Sequence, residues 1–113
     1  MVPRLEQISN VASFPRGANW TGKSGRAYDL VAERFDNFAL ISGNLYVVAS
    51  GTLVLWVGAV EDVVNDQQSR ARFRLAMDCA DRVFRLKAPE DEVARMTVIW
   101  DLEGAEPATL SAA

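Results

Sequence analysis

The stretch Leu45–Gly58, LYVVASGTLVLWVG, constrains this chain more than any other. Ser50-Gly51 interrupts two apolar runs and predicts a β-hairpin. Successive side chains of a strand point to opposite faces, so a strand with one covered face alternates apolar and polar residues. Neither run alternates. Both faces of the hairpin are therefore expected to be covered, which puts it at the centre of the fold.

The flanking segments suggest what surrounds it. Ala27–Phe35 alternates and reads as a partly exposed strand nearer an edge. Asp36-Asn37 and Ser42-Gly43-Asn44 are turn signals on either side of the short apolar segment Phe38–Ile41. Glu61–Gln68 reads as a short helix or a loop, and Asp66 or Ser69 can cap the element that follows. From about 69 to 86 the spacing is helical: Phe73, Ala76, Met77, Ala80, Val83 and Phe84 recur every three or four residues. Pro89 ends that helix or starts a new short one, because Glu90-Asp91-Glu92 suits a first helical turn. Met96–Leu102, MTVIWDL, has the β-branched and aromatic content of a strand. The predicted class is α+β, a small antiparallel sheet around hairpin 45–58 with one main helix at about 69–86 packed on one face. Residues 1–25 read as a loosely structured arm, 26–107 as a single domain and 108–113 as a frayed tail. One helix covers one hairpin face. The other falls to the arm, the short segments or a second copy of the chain, so a homodimer is expected.

Residue types narrow the chemistry. The chain of 113 residues has no histidine and one cysteine, Cys79. The usual general base and the commonest zinc ligand are missing, and neither an intrachain disulfide nor a thiolate cluster can form. Cys79 beside Ala76 and Ala80 reads as a buried thiol. No apolar run approaches the ~20 residues that span a bilayer, and Met1–Gln7 lacks the apolar core of a secretory signal, so a cytoplasmic location is expected. The net charge of −3 is unevenly spread, with Arg70, Arg72, Arg74, Arg82, Arg85 and Lys87 making up half of the 12 basic residues. That patch offers itself to an oppositely charged partner, with the acidic C-terminal part as its counterpart.

Asn44-Leu45-Tyr46 and Trp56-Val57-Gly58 together resemble a degenerate GIY-YIG nuclease core, over roughly residues 44–106. Asn44 stands where that motif has glycine, and Trp56 where it has tyrosine. The resemblance implies a metal-dependent nuclease in which Tyr46 and Trp56 take the places of the two tyrosines, Arg70 or Arg72 that of the helix arginine, and Glu103 or Glu106 that of the glutamate holding Mg²⁺. Read from the residues alone, Tyr46 and Trp56 are cross-strand packing aromatics. Asp101 and Glu103, two apart on the predicted strand end, form an alternative Mg²⁺ pair. Lys23 in Gly22-Lys23-Ser24-Gly25 follows no predicted strand and lacks the glycine spacing of a phosphate loop.

The function expected on these grounds is non-enzymatic: a protein-interaction, adaptor or assembly component, of the make-up seen in phage and mobile-element accessory proteins. Phe14 and Trp20 in the arm and Arg70, Arg74 and Arg82 in the basic segment are the candidate partner contacts. No cofactor is favoured. Nucleic-acid binding through the arginine helix, without cleavage, is the further alternative.

Overall fold

The computed structural model describes residues 16–108. In chain order they form β1 (Arg16–Thr21), β2 (Ala27–Glu33), β3 (Asn44–Ser50), β4 (Leu53–Gly58), α1 (Val60–Asn65), α2 (Gln67–Cys79), β5 (Arg82–Lys87), α3 (Glu92–Glu103) and β6 (Glu106–Pro107). The strands make one curled antiparallel sheet in the order β4-β3-β5-β2-β1-β6. The class is α+β, as expected, but with six strands and three helices rather than a hairpin under one helix. Among the described residues no helix is long and apolar enough to cross a membrane.

The hairpin is covered on both faces, and by this chain itself. Leu45–Ala49 are five consecutive residues no more than 1% exposed. Leu45, Val47 and Ala49 point into a core with Trp20, Leu30, Phe84 and the α3 residues Val98, Ile99 and Leu102. Tyr46 and Val48 point the other way, into a core with Trp56, Val83 and the α2 residues Phe73, Ala76 and Met77. Burying each aliphatic side chain of this kind contributes about 1.5–3 kcal/mol. The β3–β4 turn places Gly51 at φ +59°, a left-handed conformation that a residue with a Cβ adopts only under strain. The face left for a second copy is therefore occupied by a helix within the chain.

Two segments after the hairpin differ from expectation. The helix expected over 69–86 ends at Cys79, and Arg82–Lys87 is strand β5, paired with β3 and β2. Val83 and Phe84 continue the three-to-four spacing of Phe73, Ala76 and Ala80, but they lie on opposite faces of the sheet. A doubly buried strand has no alternation to distinguish it from a helix stripe. The strand expected over Met96–Leu102 is part of α3. Asp91 caps that helix by accepting a hydrogen bond from the Ala94 amide at 2.9 Å, and Val98, Ile99 and Leu102 form its buried stripe. Packing against the sheet overrides the β preference of Thr97-Val98-Ile99. Arg95 joins α3 to α1 through Asp62 at 3.1 Å.

Residues 16–21, read as part of a loose arm, are a sheet strand paired along its length with β2. Residues 22–25 of that arm form the turn into β2, while residues 1–15, Phe14 included, and the tail beyond 108 lie outside the described residues.

Candidate interaction surface

Because β5 inserts between β3 and β2, among the described residues strand β4 pairs only with β3 and no strand lies on its other edge. A cleft runs along that edge. Val54, Leu55, Trp56 and Val57 line it together with Ser69 and Arg72 of α2 and Glu103 of α3. Consecutive residues of one strand meet both helix layers only at the strand's free edge. A second cleft of about 520 Å³ continues it past the hairpin turn, lined by Thr52, Leu53, Val54 and residues 103–107. Val54 and Glu103 belong to both. The far wall of the second cleft includes β6, the opposite edge of the sheet, so the curl brings the two edges to one opening.

The register of β4 shifts opposite Val48/Ala49, a β-bulge. Leu55 and Trp56 both pack on the α2 side as a result. The Trp56 indole donates to the Ser69 hydroxyl at 3.3 Å, fixing the wall of the cleft. Leu53 at the cleft mouth is 62% exposed.

A second exposed apolar feature lies on the outer face of α3. Val93, Met96 and Trp100 are 72%, 50% and 55% exposed, and with Thr97 they follow the spacing of one helix face. The Lys23 ammonium sits over the Trp100 ring, 4.3 Å from its centroid. Trp100, in the segment expected to be a strand, lies on a helix and is turned outward.

Asp101 is the one buried charged residue among those described, and it belongs to a latch. Its carboxylate accepts hydrogen bonds from the Ser24 amide at 2.7 Å, the Ser24 hydroxyl at 2.7 Å and the Tyr28 hydroxyl at 2.8 Å. Burial pushes its pKa up, but the Ser24 and Tyr28 bonds and the Arg26 charge outweigh that and hold it below the ordinary value. Tyr28 is pushed up to about 12, by burial first and then by its bond to Asp101. The Gly22-Lys23-Ser24-Gly25 turn does bind an anion, and the anion is the chain's own carboxylate. A Cβ on Gly22 would lie 2.5 Å from the Asp101 carboxyl carbon, so the approach requires glycine.

The other singled-out residues fall in separate places. Tyr46 is buried under the 34–43 loop, where its hydroxyl accepts from the Ile41 amide at 2.9 Å and donates to the Ala39 carbonyl at 3.1 Å. Trp56, Arg72 and Glu103 line one cleft. Arg70 donates to the Val63 and Val64 carbonyls and closes the end of α1. Arg74 is exposed on α2, and Arg82 reaches the Gly51 carbonyl at the hairpin turn. Trp20 is 2% exposed and packs edge-on to Phe84 at 5.3 Å, so its ring is used inside the core. Cys79, the last residue of α2, is exposed, not buried. Asp101 faces Ser24 and Tyr28 while Glu103 faces the β4 cleft, so the two do not converge. Among the described residues no three acidic or cysteine side chains gather as a metal-binding group.

The free edge of β4 is not legible in the sequence, because it is a property of strand order among the described residues. Glu103 was singled out, though for metal chemistry. Compared with known proteins, the chain matches no family model, no curated protein and no solved structure.

Proposed function

We propose that this protein is a binding module that accepts a short extended segment of a partner protein as an added strand on β4. One observation carries the reading: the edge of β4 that no described strand pairs lines a cleft together with α2 on one side and with α3 and β6 on the other. Main-chain hydrogen bonds to an exposed sheet edge supply affinity in this mode, and pockets for alternate side chains supply selectivity. Leu53 and Val54 of β4 and Pro107 of β6 give such a segment apolar contacts. The bulge and the walls limit the length that can pair, which disfavours continuous edge-to-edge stacking of copies and favours a short segment. This reading keeps the protein in the class of adaptors and assembly components.

The test is selection from a displayed library of randomised peptides, followed by amide chemical shifts and hydrogen exchange of the protein with each binder. Support is protection concentrated at residues 53–57 that disappears when alternate peptide amides are N-methylated. Binders that perturb Val93, Met96 and Trp100 instead of β4 overturn the reading, as does the absence of any binder protecting β4. Light scattering of the free protein separates out a second copy: a dimer protected at β4 without peptide refutes a foreign segment as the occupant.

A further inference from the structure

We infer that the β4 cleft reads the charge order of its strand, taking a segment that is acidic towards its N-terminus and basic towards its C-terminus; this rests on the strand-addition reading above. Three charged side chains line the cleft at different heights along β4. Glu106 lines only the part with Thr52–Val54, Arg72 only the part with Val54–Val57, and Glu103 lines both. Opposite charges facing one cleft would ordinarily satisfy each other. Among the described residues Arg72, Glu103 and Glu106 make no ion pair. The cleft thus has two carboxylates, Glu103 and Glu106, at the end by the hairpin turn, while its one arginine, Arg72, stands towards Trp56.

Direction follows from the sheet. Every strand pair in it is antiparallel. An added strand that continues the pattern runs from the Val57 end of β4 towards Leu53. Its first residues then pass Arg72, and its last residues pass Glu103 and Glu106. Apolar or β-branched residues between them face Leu53, Val54 and Pro107. Opposite charges brought close attract and like charges repel, so inverting the order penalises the ligand at both ends.

The experiment uses two capped peptides of identical composition, EEVTVTKK and its charge-inverted partner KKVTVTEE, titrated into the full chain by NMR at low salt. The first should bind roughly tenfold tighter, with shifts at residues 53–57 and a preference that fades as salt screens the pairs. The exchanged variant Arg72→Glu/Glu103→Arg should invert the preference; both positions are exposed, so its fold is checked by an unchanged amide spectrum away from β4. Equal affinity of the two peptides at β4 overturns the charge order but leaves strand addition standing. A wild-type preference for the inverted peptide also overturns it. Failure of both peptides, and of library binders, to touch β4 refutes the strand-addition reading itself.

Discussion

Replacing Asp101 by alanine should lower stability by about 3 kcal/mol. Its carboxylate accepts three hydrogen bonds, two from Ser24 and one from Tyr28. Each bond to a charged acceptor is worth about 1.5–3 kcal/mol, but such values do not add within one network. Ser24 is exposed and its donors can turn to water after the change. Tyr28 is buried, and its hydroxyl would be left without a partner at a cost of about 1–3 kcal/mol. For a domain of this size, 3 kcal/mol corresponds to a fall in Tm of about 12–24 °C, readable by circular dichroism or calorimetry. Asp101→Asn keeps an acceptor for the Ser24 amide, and the two hydroxyls can rotate to accept from its new N–H, so it should cost only about 1 kcal/mol. Gly22→Ala supplies a second arm. It collides with Asp101 in the native chain, but its cost should shrink in the Asp101→Ala background, where the space is vacated. The folded carboxyl titrates below its unfolded value. The stability it adds is therefore fully present above the ordinary carboxylate pKa of about 4, and is lost as pH falls through that value and then the lower folded one. Asp101→Asn should flatten that part of the acid transition. A loss below about 1 kcal/mol for alanine, or additive costs for Gly22→Ala and Asp101→Ala, would refute the latch.

Tyr46→Phe should cost about 1–2 kcal/mol, because the hydroxyl holds the 34–43 loop through Ile41 and Ala39; faster amide exchange at Ile41 is the local readout. Trp100→Ser should change unfolding free energy by less than about 0.5 kcal/mol, since the ring is mostly exposed and its Lys23 contact is a surface one. A large loss on chemical denaturation would mean that the outer face of α3 is packed.

The centre of this fold is legible in the sequence because Leu45–Ala49 and Leu53–Gly58 lack alternation, and burial on both faces is the one arrangement that tolerates that. The identity of the second cover was hidden. Thr97-Val98-Ile99 carries strand preference locally, and it is helical because Val98, Ile99 and Leu102 meet the sheet on one stripe. Glu90-Asp91-Glu92 did announce a helix start, but the β-branched run outweighed it. Strand β5 was hidden by coincidence of spacing, since Val83 and Phe84 prolong the stripe of α2. The cleft was illegible for a different reason. Whether β4 has one neighbour or two depends on where Arg82–Lys87 docks, and nothing within Leu53–Gly58 records that choice.

The position of β5 also sets an order of events for a chain made from its N-terminus. β1–β2 and β3–β4 are hairpins whose pairings are local in sequence. They share no ladder with each other; each is joined to the sheet by β5, which pairs Val83 with Glu33 on one side and with Val48 on the other. Until residues 82–87 are available, two half-sheets exist with their inner edges unsatisfied, and these edges are open to wrong pairing. A fragment ending at Cys79 should accordingly aggregate, and adding the eight residues Ala80–Lys87 should relieve that more than any other short extension. The strand that zips the halves together arrives late, so closing the sheet waits on the long-range pairings of β5 with β2 and with β3.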